Sequence, residues 1–191
     1  MKSAVIVFPG SNCDRDVQVA LTASTDRPPV MIWHGDTDLP PVDLIVIPGG
    51  FSYGDYLRAG SMAANSPVMR EVVTKAKAGT PVLGICNGFQ ILCESELLPG
   101  ALLRNAGLRF VCRDVLLRVE NTSTIFTEGY KSKAVVRIPI AHHDGNYFAG
   151  DDTIKRLKDK NCIAFRYVDA NGKQGNRSNP NGSGGEIAGI L

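Results

Sequence analysis

The segment Pro81-Val82-Leu83-Gly84-Ile85-Cys86-Asn87-Gly88 places a thiol where an apolar run ends and a glycine-rich turn begins. Such a run reads as a fully buried strand, and Gly84 and Gly88 suit a sharp bend into the next helix. The bend lifts a side chain out of the backbone and turns it toward a cleft. A thiol at the N-terminus of that helix can ionise, because the helix dipole favours the thiolate. Pro48-Gly49-Gly50 ends a second apolar run. Paired glycines let backbone N–H groups face a ligand closely, and such groups stabilise the oxyanion of a tetrahedral intermediate. The expected oxyanion hole uses the amides of Gly50 and of Asn87, the residue after the thiol. Together these features predict acyl transfer through a thioester on Cys86.

Each piece also has a plainer reading. A cysteine closing a buried strand is often only a core residue, and a Gly-Gly pair is often only a turn. The setting of Cys86 between Gly84 and Gly88 favours the nucleophile. Cys13, Cys93, Cys112 and Cys162 lack that setting. Cys93 reads as helix core, and Cys13, beside Asp14 and Asp16, as a loop residue. The chain has three histidines, His34, His142 and His143. His142 and His143 lie in a loop-forming stretch over 139–147, where they either serve Cys86 as a base or only shape a pocket.

The elements that must hold these residues follow from the apolar pattern. Short apolar strands are expected over 4–8, 30–33, 43–47 and 82–85. Helices are expected over 14–23, from Ser66-Pro67 to Gly79, and over 88–97. Ser11 or Asn12 is expected to cap the first, and Ser66 the second, with Pro67 at its first helical position. This alternation predicts an α/β fold: an open, mostly parallel sheet with helices on both faces, and ligands outside the carboxyl ends of the strands. The second half reads differently, with strands over 113–120, 135–138, 162–167 and 187–191, some of them antiparallel, and a Gly/Asn/Ser-rich loop over 171–185. No repeat or linker interrupts the chain, so residues 1–191 read as a single domain.

Composition narrows the functional classes. A net charge of +2 over 191 residues gives no basis for a nucleic-acid or membrane partner. No stretch reaches the roughly 18 apolar residues of a membrane span. The apolar start over 4–8 is too short for a signal peptide. The five cysteines form neither a disulfide framework nor paired metal-binding clusters, so no metal site and a reduced, cytoplasmic setting are expected.

Gly84-Ile85-Cys86-Asn87-Gly88-Phe89-Gln90 resembles the nucleophile motif of class I, triad-type glutamine amidotransferases, and Pro48-Gly49-Gly50 resembles their oxyanion strand end. The run Gly49-Gly50-Phe51-Ser52-Tyr53-Gly54-Asp55-Tyr56-Leu57-Arg58-Ala59-Gly60 is narrower and is similar to the glutaminase subunits of phosphoribosylformylglycinamidine synthases. Pro9-Gly10-Ser11-Asn12-Cys13-Asp14, Pro139-Ile140-Ala141-His142-His143 and Asn179-Pro180-Asn181-Gly182-Ser183 agree with it. The resemblance implies a flavodoxin-like amidotransferase fold. It also implies hydrolysis of L-glutamine to glutamate and ammonia through a Cys86 thioester. The ammonia would pass to a large synthetase subunit that makes formylglycinamidine ribonucleotide in purine biosynthesis. That partner uses ATP and Mg, whereas this chain needs no cofactor; a small bridging subunit completes the assembly.

The resemblance implies glutamine contacts from Gly49, Gly50, Phe51 and Gln90. His142, His143, Asn146 and Tyr147 are expected to frame the pocket or the partner face. Arg58 is expected either in an ion pair or against the synthetase. The family's catalytic histidine and glutamate lie in a Pro-His-Pro-Glu segment that is not among these residues. The stretch over 187–191 reads as a strand in progress, which leads to the expectation of further chain carrying that segment. Two alternatives stand beside the glutaminase: a regulatory or scaffold protein with the same fold and impaired chemistry, and a related cysteine hydrolase. Gln90 and the run over 51–60 disfavour the second.

Overall fold

A computed structural model describes residues 1–191, which divide into two compact units, Met1–Leu98 and Pro99–Leu191. In the first unit, β1 (Ser3–Val7), β2 (Val30–Trp33), β3 (Leu44–Ile47) and β4 (Val82–Gly84) form a sheet in the order β2-β1-β3-β4. All three pairings are parallel, with Ile6 opposite Ile32, Ala4 opposite Ile45 and Ile47 opposite Gly84. Strands flanked on both sides read as continuous apolar runs, and Ala4, Val5, Ile6, Ile45, Val46 and Ile47 are all buried.

Four helices belong to this unit: α1 (Asp14–Thr25), α2 (Ser61–Ala64), α3 (Pro67–Lys77) and α4 (Asn87–Glu94). Val68, Met69 and Val72 of α3 and Ile91 and Leu92 of α4 join Ile6, Ile45 and Ile47 in one apolar cluster. By contrast α1 contributes no buried residue. The strand order places the reversal of winding between β1 and β3, which is where open sheets of this order open a crevice at their carboxyl ends.

The expected mostly parallel sheet with helices is therefore present, with corrections at the element ends. The α1 N-cap is Cys13, not Ser11 or Asn12, and no side chain caps it. Ser66 is the N-cap of α3, but its hydroxyl donates back to the Ala63 carbonyl at 2.7 Å instead of capping the helix. The helix α4 stops at Glu94, short of the expected Leu97.

The second unit carries a four-stranded antiparallel sheet, in which the strand Val111–Val119 lies between Ile163–Val168 and Val135–His142, and Ile187–Ile190 pairs with Ile163–Val168. Its strands are β6 (Val111–Val119), β7 (Val135–His142), β9 (Ile163–Val168) and β10 (Ile187–Ile190). Two three-residue strands, β5 (Ala101–Leu103) and β8 (Asn146–Phe148), pair with each other. Pro139 lies in β7, an edge strand, where the missing N–H breaks no central ladder. A surface helix, α5 (Asp151–Asp159), buries only Leu157.

The Asn179-to-Ser183 motif ties this unit's loops together. Asn181 is buried and donates to the Gly145 carbonyl at 2.7 Å, while its Nδ2 lies 3.5 Å from His142 Nε2. Buried Asn105 donates to the carbonyls of Arg109 and His142 and accepts from Gly145 N–H. Ser183 Oγ accepts from Tyr147 N–H at 3.0 Å. Burial lowers the pKa of His142, against smaller opposing contributions from its own backbone and from Asp144.

Two outcomes follow. A Cβ on Gly88 would run into the Ile47 carbonyl oxygen. Gly88→Ala is thus expected to destabilise the protein by about 1–3 kcal/mol or more, measured by denaturant unfolding. For His142, the unfolded chain takes up the proton near pH 6.5 and the folded chain only at lower pH. Stability from this group is therefore complete above that value and declines as pH falls below it. A melting series from pH 7.5 to 5.5 should fall more steeply for the natural protein than for His142→Gln; parallel curves would remove His142 as the cause.

Candidate active site at the carboxyl ends of the parallel strands

The first unit's sheet ends on three loops that meet. The Ile85 N–H donates to the Ile47 carbonyl at 3.0 Å, extending the β3–β4 ladder by one bond past Gly84. Cys86 then turns the chain at φ 53°, ψ −107°, and α4 begins at the next residue. A side-chain-bearing residue at positive φ is strained, and strain held at a turn between strand and helix is the geometry of a nucleophile elbow. The Cys86 carbonyl accepts from Phe89 and Gln90, so the bend is closed at once by the first helical turn.

Cys86 is an exposed residue, yet the surrounding protein desolvates its sulfur and pushes the thiol pKa up. Backbone hydrogen bonds from Asn87 and Gly50 pull it down, and the proximity of Cys13 and Asp55 adds to the upward shift. The net direction is upward. Desolvation outweighs the two donors. The same two amides, of Gly50 and Asn87, are the ones expected as the oxyanion hole, and both face the sulfur.

Gly50 sits at φ 132°, and a Cβ there would meet Asn12 Oδ1 at 2.7 Å and Asn12 N at 2.9 Å. The turn after β1 therefore packs directly on the Gly50 backbone, and Ser11 forms a β-bridge to it. Gly49 lies between the two cysteines. A Cβ built on it would stand 3.4 Å from Cys86 Cβ and 3.7 Å from Cys13 Sγ. Cys13, read from sequence as an ordinary loop residue, belongs to the surroundings of the elbow. Cys93 is buried in α4, as expected.

The segment after Gly50 is strained and braced. Tyr53, Gly54 and Asp55 have φ of 55°, 70° and 52°, three left-handed residues in succession. Tyr53 N–H donates to the Pro9 carbonyl at 2.6 Å, and its hydroxyl lies 2.6 Å from His34 Nδ1. Ser52 N–H donates to Asn87 Oδ1 at 3.2 Å. Phe51 is half exposed, and Tyr56 and Leu57 are more so. Arg58 makes a two-pronged ion pair with Glu94, at 2.6 and 2.5 Å. With the guanidinium largely in solvent, that pair contributes about 0–1 kcal/mol. Gln90 is buried in α4, its Oε1 accepting from Asn87 Nδ2 at 2.8 Å.

The other expected site residues belong to the second unit. His142 ends β7, His143 lies 3.8 Å from Asp144, and Asn146 and Tyr147 are in β8. Tyr147 is buried there, its hydroxyl donating to the Pro99 carbonyl at 2.8 Å. Sequence reasoning missed the side chains of Asn12, Ser52, Asp55 and Asn87. The motifs over 9–14 and 49–60 contained them, but nothing in the spacing indicated which would meet.

Comparison with known proteins agrees with this geometry. The CobB/CobQ-like glutamine amidotransferase domain matches residues 1–191. A Rhodospirillum rubrum protein named phosphoribosylformylglycinamidine synthase subunit PurQ is 57% identical over 192 residues, covering 100% of this chain and 84% of that protein. The Brucella suis protein of the same name is 57% identical, covering 100% of this chain and 83% of its own length. A chain from a structure of PurLQS of Thermotoga maritima superposes with a TM-score of 0.86 at 42% identity, covering 100% of this chain and 81% of that one. The parallel sheet, the cysteine elbow and these likenesses agree: the chain belongs to the CobB/CobQ-like glutamine amidotransferase family.

Proposed function

We propose that this chain hydrolyses L-glutamine to glutamate and ammonia through a thioester on Cys86. The ammonia serves a synthetase that makes formylglycinamidine ribonucleotide in purine biosynthesis. The observation that carries this reading is the sulfur on a strained elbow, facing the amides of Gly50 and Asn87. The relatives named as subunits of phosphoribosylformylglycinamidine synthase supply the destination of the ammonia.

In this reading the Cys86 thiolate attacks the side-chain amide carbon of glutamine. The new oxyanion takes the hydrogen bonds of the Gly50 and Asn87 amides. The intermediate collapses, the C–N bond breaks, and the leaving nitrogen takes a proton to depart as ammonia. Water then attacks the γ-glutamyl thioester, releasing glutamate and restoring the thiol. A thiol nucleophile of this kind works with a base that takes its proton, and desolvation here pushes the thiol pKa up. The resemblance supplies a histidine oriented by a glutamate for that task; none of His34, His142 and His143 is proposed for it. Gly49, Gly50, Phe51 and Gln90 line the glutamine subsite in this reading.

The partner is a large synthetase subunit using ATP and Mg, with a small bridging subunit, in the cytoplasm. The solved relative comes from a structure of PurLQS, which supports an assembly of this kind. The exposed Phe51, Tyr56 and Leu57, beside the elbow loop, suit an apolar partner surface.

Cys86→Ala is expected to lower glutamine hydrolysis by more than about a thousandfold, assayed as glutamate release with the synthetase present. A glutamine-derived chloroketone should label the natural protein at Cys86; labelling elsewhere, or persisting activity in the variant, would falsify the thioester. The elbow strain is tested separately. Cys86→Gly should be about 1 kcal/mol more stable than Cys86→Ala in denaturant unfolding, because glycine adopts this φ without a Cβ penalty.

A further inference from the structure

Asn87 carries two separable groups. Its backbone N–H faces the Cys86 sulfur together with that of Gly50. The residue is 2% exposed, and its side chain makes three contacts. Oδ1 accepts from Ser52 N–H at 3.2 Å, and Nδ2 donates to Gln90 Oε1 at 2.8 Å and, more weakly, to Asp55 Oδ1 at 3.4 Å. One buried amide thus joins the helix of the elbow to the loop that follows the other oxyanion donor.

That loop needs a restraint of this kind. Ser52 is two residues past Gly50 and is buried, and the three left-handed residues after it include two with side chains. Such a conformation persists only where neighbouring contacts hold it. The Tyr53 and Arg58 contacts act farther along the loop. The Asn87 clasp at Ser52 is the contact from the elbow itself. The Asn87 carboxamide accepts from one neighbour while donating to another. An aspartate could still accept from Ser52, but it would lose the bond to Gln90 and set a second carboxylate against Asp55. An alanine would leave the buried Ser52 N–H without its acceptor.

We infer that the Asn87 side chain is a positioning residue. By clasping the loop at Ser52 it fixes the Gly50 amide relative to the Asn87 amide, and so sets the geometry of the oxyanion hole. This rests on the thioester reading above. The two amides must converge on one oxygen, and displacement of a donor by a fraction of an ångström weakens the stabilisation that appears in the transition state.

The test compares turnover with two alkylating probes in the full chain, with the synthetase present for turnover. Iodoacetamide reacts at a saturated carbon and forms no oxyanion, so the limiting rate of its pH profile reports only access and nucleophilicity of Cys86. The glutamine-derived chloroketone places a carbonyl oxygen in the oxyanion position. For Asn87→Ala, kcat for glutamine hydrolysis and the chloroketone rate should each fall about 10–100-fold. The limiting iodoacetamide rate should stay within about threefold, as expected when the access and nucleophilicity of Cys86 are kept and transition-state stabilisation is lost. Asn87→Asp, of equal size, should show the same pattern with a smaller loss, and it keeps the test readable if the alanine variant does not fold. A kcat within twofold of the natural protein in both variants overturns the inference. So does an equal loss with both probes, which would mean general disorder of the elbow. Cys86→Ala separates the two readings: activity retained there defeats the thioester, whereas activity lost there but kept in Asn87→Ala defeats only the positioning role.

Discussion

The helix after Cys86 must lie against the backbone of β3, and this close approach is the constraint on which the site depends. Gly88 lies two residues after Cys86, and a Cβ there would run into the Ile47 carbonyl oxygen. Because α4 can seat this deeply, Ile91 and Leu92 reach the apolar cluster with Ile45 and Ile47. The chain must then turn between β4 and α4 within two residues, and Cys86 absorbs that turn at positive φ. The exposure of Cys86 and the burial of α4 are two sides of one geometric requirement.

At the sulfur, opposing effects meet. Desolvation disfavours the thiolate, and Cys13 and Asp55 add to that, while the amides of Asn87 and Gly50 favour it. The net direction is upward. In the thioester reading, the same donors would meet the charge that develops on the oxyanion during the reaction.

The second unit is organised by buried amides instead of by a close helix. Asn105 and Asn181, each almost fully buried, satisfy carbonyls and N–H groups of loops that have no ladder partner. Loop backbone without regular structure must find such partners or lose free energy to desolvation. Glu120 shows the same economy with charge. Burial alone would raise its pKa, but hydrogen bonds from Lys133 and Arg118 outweigh it and lower the value. The carboxylate therefore stays ionised beside the buried Arg166.

The parallel half of the fold was legible because buried strands are written as uninterrupted apolar runs, as in 43–47, and because Pro67 and Gly79 mark helix ends in any context. Cys86 was legible because an elbow needs small residues on both sides. The helix α5 escaped notice, since its nine residues bury only Leu157 and leave almost no apolar stripe. The strands β5 and β8, three residues each, are too short to show a period. What tertiary structure alone decided was which loops converge. Asn12 over Gly50, Cys13 across Gly49 from Cys86, and Asn87 on Ser52 are contacts between residues 35 or more apart in the chain or across separate strand ends. The sequence alone determined that a thiol would stand at a sharp bend, because local backbone sterics dictate it. The sign of that thiol's pKa shift depended on desolvation by distant residues, and no local pattern records that.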